Sequence, residues 1–365
     1  MNRKYFLFLF LFSIITFSIA EILTRKIYGY NITSKNFSNH TALLESNYAV
    51  MHDDLLSWNH KPNLVSKNGL NTDDNSFRIS RKYKNNIVSR KTIFVSGSSF
   101  AAGSEVSDHE TWPFYLEKQI NTKVINAAVG GWDSFQIIQN VKKNLNKTKP
   151  DMVIIQFTDA IERSKYKIYA SAYKSRYKII NDKLVLSNYP VTKFNKKKYL
   201  SDKNTSEIDK IVNHSFFTNI LNNSLFLYKL QKKFFNAPYG LNVDKVYVKD
   251  DKNIFDLNCK LINNIKDILD KKNIELFFVI QHRGDLVLNK MHDLQPINEQ
   301  KLQSCLIKSN IRFINFWEIL KDYYFQYGES EFKKLYKMKN NMYFGHMSNN
   351  GNMFVAKKIK DFFFE

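Results

Sequence analysis

Apolar residues in this chain fall into two alternating kinds of run. Short unbroken runs at 92–96, 123–126, 152–157, 276–280 and 311–316 are rich in Ile, Val and Phe. Such runs mark strands covered on both faces. Between them the apolar positions recur three and four apart. In 111–120 the helical spacing picks out Trp112, Tyr115, Leu116 and Gln119, with Pro113 in the first turn, where an N–H is not needed. From Ser134 onward Ile137, Ile138, Val141 and Leu145 share one face. Further helices are predicted over 254–272, around 299–309 and over 348–364. Strands alternating with helices predict a parallel sheet of about five strands joined by right-handed crossovers.

The segment 160–250 interrupts that rhythm. Residues 177–186 predict a hairpin turning at Asn181-Asp182, and a basic helix is predicted over 216–235. An insertion at the carboxyl edge of a sheet shapes access to a site, so this one reads as a substrate-side cap or, alternatively, an oligomerisation surface. Upstream, 27–50 is polar and reads as a stalk. The stretch 55–80, with Trp58, Pro62, Gly69 and the run Asn75 to Arg78, reads as an arm lying over the domain. Residues 5–24 are nearly all apolar and follow Arg3 and Lys4. About 20 such residues can cross a bilayer. Ser18-Ile19-Ala20 also has the small-residue spacing of a signal cleavage site. Either a membrane anchor or a signal peptide places the rest outside the cytoplasm, on the periplasmic side, with the membrane as partner in the first case. The divisions are thus 1–26 anchor or signal peptide, 27–90 stalk and leader arm, and 91–365 the main domain.

Composition adds little to this division. The chain has 365 residues, 44% of them hydrophobic, and a net charge of +21. Its lysines are scattered rather than striped, and no zinc-finger or RNA-binding signature accompanies them, so nucleic acid is not expected as a partner. Two cysteines, Cys259 and Cys305, make no disulfide framework and fit no metal spacing. Both fall in predicted helices and are expected as core thiols, although a bridge is permitted outside the cytoplasm. No phosphate loop, dinucleotide fingerprint or zinc-protease motif is present, and neither metal nor cofactor is expected.

The chemistry is sought in Ile93 to Gly103, where a strand runs through Gly97-Ser98-Ser99-Phe100 into a helix. A serine there stands above the carboxyl edge of the sheet, where open α/β sheets hold ligands; a plain Gly/Ser-rich turn is the other reading. The run resembles the first block of the SGNH (GDSL-type) hydrolases, Gly-Asp-Ser-Phe followed by a glycine, with Ser98 in place of the aspartate. The following Val106 to Pro113 is similar to that family's lead into its first helix. Gly345-His346-Met347-Ser348 resembles its last block, and Asn126 to Asp133 its second. The stretches Trp58 to Asn63 and Asn75 to Arg78 resemble the leader of its anchored members.

The resemblance implies a three-layer α/β/α domain with a flavodoxin-like sheet. It makes Ser99 the nucleophile and His346 the base, with Ser99, Gly131 and Thr158 around the oxyanion. Thr158 stands where the family has asparagine, and Gln156 or Asp159 could shift its role. The family's acid, three residues before the histidine, is here Tyr343, and no carboxylate lies between Lys333 and Gly351. The orienter is therefore expected to be missing, a backbone carbonyl, or one of Asp133, Asp159 and Asp285. His282, after the fourth strand, competes with His346. The implied activity is a serine esterase removing acyl groups, acetyl in the first instance, from carbohydrate or lipid. The alternatives are an O-acyltransferase acting on surface polysaccharide and a degenerate glycan-binding or assembly module.

Overall fold

The computed structural model describes residues 3–28, 49–66, 69–81, 87, 89–169, 172–193, 245–247, 254–289, 295–339 and 343–365. Its centre is a five-stranded parallel sheet built from β3 (Thr92–Ser96), β4 (Lys123–Asn126), β5 (Met152–Phe157), β11 (Glu275–Ile280) and β12 (Arg312–Asn315), in the spatial order β12-β11-β5-β3-β4. Renumbered along the sheet this is 2-1-3-4-5, the order expected. Every pairing is parallel, with Ile93 opposite Val124 and Met152, and Phe278 opposite Ile155 and Phe313.

Alternate side chains of these strands feed two cores. Phe94, Val153, Ile155 and Phe278 face α4 (Ser134–Thr148), α6 (Ile254–Asp270) and α8 (Ile297–Lys308). Val95, Ile154, Phe277 and Val279 face α3 (Trp112–Ile120), α9 (Phe316–Lys334) and α10 (Asn349–Phe363). The result is the α/β/α sandwich that the strand periodicity predicts. The helices start where polar side chains cap them. Thr111 accepts the Phe114 N–H, Ser348 accepts that of Gly351, and Asp133 with Gln136 forms a capping box.

The leader arm is more deeply engaged than an arm lying over a finished domain. Its hairpin, β1 (Val50–Asp53) and β2 (Ser57–His60), buries Trp58 completely. The Trp58 indole donates to the Gly130 carbonyl at 3.0 Å, and the Trp132 indole donates back to the Trp58 carbonyl at 2.9 Å. The described part of the insertion comprises α5 (Ala160–Ser164), a sheet of β6 (Tyr166–Tyr169), β7 (Ala172–Tyr173) and β10 (Lys245–Tyr247), and the hairpin β8 (Arg176–Ile180) with β9 (Lys183–Ser187). The hairpin turns at Asn181 and Asp182, both at positive φ, as that residue pair favours. The helix expected at 216–235 and most of the expected stalk lie outside the described residues.

Two expectations are corrected here. Cys259 and Cys305 are not separate thiols: they bridge α6 to α8, with Cα atoms 5.9 Å apart. Both helices lie in one layer, which brings the two side chains together. The stretch around His346 is not a loop but a strand, β14 (Tyr343–Met347), antiparallel to β13 (Tyr336–Lys339). At the N-terminus, α1 (Arg3–Tyr28) is a continuous helix. Among the described residues no helix is long and apolar enough to cross a membrane.

Candidate active site

Strand β3 ends at Ser96, and the chain turns through Gly97 and Ser98 into α2 (Ser99–Ala102), a single turn opening with Ser99. The turn is held from below by Gln156 on β5. Its Oε1 accepts the Ser98 N–H at 3.0 Å and lies 3.3 Å from the Ser98 hydroxyl, while its Nε2 donates to Thr158 Oγ1 at 2.6 Å. A methyl group at Gly97 would come within 2.7 Å of Gln156 Oε1 and 2.8 Å of the Ala101 Cβ, so only glycine fits there. Ser98 and Thr158, two of the positions at which the chain departs from the SGNH pattern, are thus joined through one buried amide.

Ser99 is half-buried. Gly130 lies beside it, where an added methyl would sit 3.8 Å from the Ser99 Cβ, and Gly131 follows at φ +81°. Among the described residues no protein acceptor takes the N–H of Ser99, Gly130 or Gly131, whereas the neighbouring Val129 N–H bonds the Gly97 carbonyl at 3.1 Å. Free backbone N–H groups beside a serine are the raw material of an oxyanion site. Thr158 is buried, with its Oγ1 accepting from Gln156 and its carbonyl from Arg163.

His346 comes to the same rim from the far end of the chain. The β13–β14 hairpin is anchored by rings packed edge to face: Phe344 lies 5.3 Å from Tyr336 and 6.0 Å from Phe332. Phe344 also fills the space left by the missing side chain of Gly284, the first residue of α7 (Gly284–Asn289). From this hairpin the half-exposed His346 ring lies 5.2 Å from that of Phe100, the neighbour of Ser99.

The group on the ring's Nδ1 is Glu105. Its Oε2 lies 3.1 Å from Nδ1 and accepts the His346 backbone N–H at 2.7 Å, while its Oε1 pairs with Lys339 Nζ at 2.7 Å. Burial alone would raise the Glu105 carboxyl, but hydrogen bonds from the His346 ring, Lys339 and the His346 N–H outweigh it and hold the group well below the usual carboxylate range. Gly345 makes room for this contact: a methyl group there would meet Glu105 Oε2 at 2.3 Å.

The carboxylates expected in this role are elsewhere. Asp133 is fully buried, caps α4 and pairs with the buried Lys174. Asp159 is exposed at φ +51° ahead of α5, and Asp285 pairs with Arg283. None of the three touches His346 among the described residues. His282 is buried, with Nε2 2.7 Å from Asn315 Oδ1 and its ring edge-on to Trp317. Glu105 is the first acidic residue after Ser99, and that placement was the available signal. A pattern that seeks the acid just upstream of the histidine passes over it.

No family model matches the sequence, and no curated protein does either. Among solved structures there are distant matches. A lipolytic protein of the G-D-S-L family from Veillonella parvula is 14% identical, with a TM-score of 0.39 over 75% of this chain and 98% of its own. A psychrotrophic esterase from Pseudoalteromonas is 10% identical, with a TM-score of 0.38 over 75% and 96%. An acetyl xylan esterase is 11% identical, with a TM-score of 0.40 over 74% and 98%. Likeness at this level carries no inference about activity, which is left to the site's own geometry. A separate groove of about 480 Å³, lined by Lys142, Tyr177, Lys260 and Asp267, belongs to the α4–α6 layer on the opposite side of the sheet from Ser99.

Proposed function

We propose that the chain is a serine ester hydrolase of the SGNH kind, removing acyl groups, acetyl in the first instance, from carbohydrate or lipid outside the cytoplasm. One observation carries this reading. Residues from opposite ends of the domain meet at the sheet's carboxyl edge, with a carboxylate on Nδ1 of His346 and a small serine-bearing turn beside it. A carboxylate on Nδ1 fixes the tautomer in which Nε2 is the free base.

In the proposed reaction Ser99 Oγ attacks the acyl carbonyl as His346 Nε2 takes its proton. The N–H groups of Ser99 and the Gly130–Gly131 turn receive the oxyanion, with Thr158 at the hole's edge. The ester C–O bond then breaks, and the leaving alkoxide takes the proton back from His346. Water, deprotonated by the same ring, attacks the acyl carbonyl; the acyl–Oγ bond breaks, the acid leaves, and Ser99 Oγ takes the proton back from His346. Glu105 stays ionised throughout and stabilises the imidazolium that forms twice in the cycle.

Glu105 also bears on the alternatives. A binding module without turnover is favoured by a missing acid, by Ser98 and by Thr158; the first of these grounds lapses once a carboxylate holds the ring. Transfer to a sugar acceptor instead of water uses the same groups and is distinguished by its product. An address outside the cytoplasm is supported by the apolar run at 5–24 and by the Cys259–Cys305 bridge, because such bonds persist in oxidising compartments.

The test is hydrolysis of a chromogenic acetyl ester by the purified protein. Ser99→Ala is expected to reduce kcat about 10³-fold or more, and an unchanged rate in that variant refutes the reading.

A further inference from the structure

The leader arm makes its firmest attachment next to the catalytic rim. Arg78 is 6% exposed, and its guanidinium and backbone are fully engaged. Its N–H donates to the Asn126 carbonyl at 2.8 Å, docking the arm on the end of β4. Nε donates to Asp108 Oδ1 at 2.6 Å. The two terminal nitrogens donate to the carbonyls of Ala102, Gly103 (2.7 Å), Val106 (2.6 Å) and Gly69 (3.1 Å). Three of these four carbonyls flank one residue, Glu105. The loop is gripped just before and just after the carboxylate that holds His346.

Glu105 needs that grip. It sits at φ +72°, a left-handed conformation that a side chain-bearing residue resists. Such a conformation persists only where surrounding contacts over-determine it. Gly103, also at φ +72°, lets the guanidinium approach: a methyl group there would lie 3.1 Å from Nη1 and 2.3 Å from the Thr111 side chain. Asp108 is held in turn by the arm, through Asn71 N–H at 3.1 Å and the Asn71 side-chain amide at 2.5 Å. The planar five-donor fork of arginine suits this many carbonyls at once, and lysine cannot reproduce it.

We propose that Arg78 is a positioning residue: through it the leader arm holds Glu105 on His346 Nδ1. The arm, outside the α/β sandwich in sequence, is then a working part of the active site. This rests on the reading of Ser99, His346 and Glu105 given above, and the experiment separates the two.

The full chain is compared as wild type, Arg78→Lys, Glu105→Gln, Ser99→Ala and Ile265→Ala. The last is a buried α6 residue on the other side of the sheet and serves as a destabilised control. Two readouts are taken: kcat and KM on an acetyl ester, and the tautomer of the His346 ring by nitrogen-15 NMR. For Arg78→Lys, kcat is expected to fall about 10²-fold with KM little changed, as a misplaced catalytic group does. The neutral His346 ring should lose its excess of the Nδ1–H tautomer, as in Glu105→Gln. Ile265→Ala should lower the melting temperature and leave the ring's tautomer in place.

The wild-type tautomer in a folded Arg78→Lys overturns the proposal, as does an equal change in Ile265→Ala. Should Arg78→Lys fail to fold, Asn71→Ala removes only the outer support and is expected to change the tautomer in the same direction by less; no change overturns the proposal. Full activity in Ser99→Ala would sink the esterase reading, and the ring's tautomer would still decide the role of Arg78.

Discussion

Glu105 shows how one side chain can stand for a missing motif. Its carboxylate is held low by the groups it serves, so the sign of its pH dependence is determined. A depressed carboxylate contributes its full stabilisation above the ordinary glutamate range, near pH 4–5, and loses it only as pH falls further through its own ionisation. Activity at pH 4–5 is therefore expected to carry no loss from protonation of Glu105. Glu105→Gln should lower kcat by about 10²–10⁴, because the amide no longer enforces the imidazole tautomer. A pH–rate profile of kcat/KM for both proteins checks both expectations. Beforehand, position 105 offered only its nearness to Ser99: spacing along the chain carries no record of which loop a strand will meet across 241 positions.

At the scale of elements, the β13–β14 hairpin decides whether the histidine reaches the rim. Its glycine at 345 is kept small by the carboxylate opposite, since a Cβ would lie 2.3 Å from Glu105 Oε2 and 2.8 Å from the Lys337 carbonyl. Gly345→Ala is expected to push Glu105 away and reduce kcat about 10²-fold at nearly constant KM. Steady-state kinetics read this directly, and circular dichroism confirms that the fold persists. The hairpin was missed in the sequence because its strands are short and join no large sheet, and its stability comes from the rings of Phe332, Tyr336 and Phe344 meeting in space. The central strands were legible almost to the residue. Buried on both faces, they leave unbroken apolar runs that few other structures produce.

For the whole molecule, the bridge between α6 and α8 closes 46 positions of chain, including strand β11. By the chain-entropy account this constraint is worth about 4 kcal/mol. Cys259→Ser with Cys305→Ser is expected to lower Tm by roughly 5–10 °C. A reducing agent should do the same to the wild type, and calorimetry with and without reductant checks both. Because the bridge lies in the layer opposite α2 and α10, kcat below the transition should be unaffected.

What the sequence determined by itself was local and periodic. Strand runs, amphipathic helices and small residues at the turn before Ser99 each follow from the preferences of a few neighbouring residues. The tertiary structure alone decided which carboxylate reached the histidine, that Trp58 and Arg78 of the leader belong to the core and the rim, and that two helical cysteines are bonded. These depend on positions far apart in the chain being packed within a few ångströms, and that distance is set by the layers as a whole rather than by any segment within them.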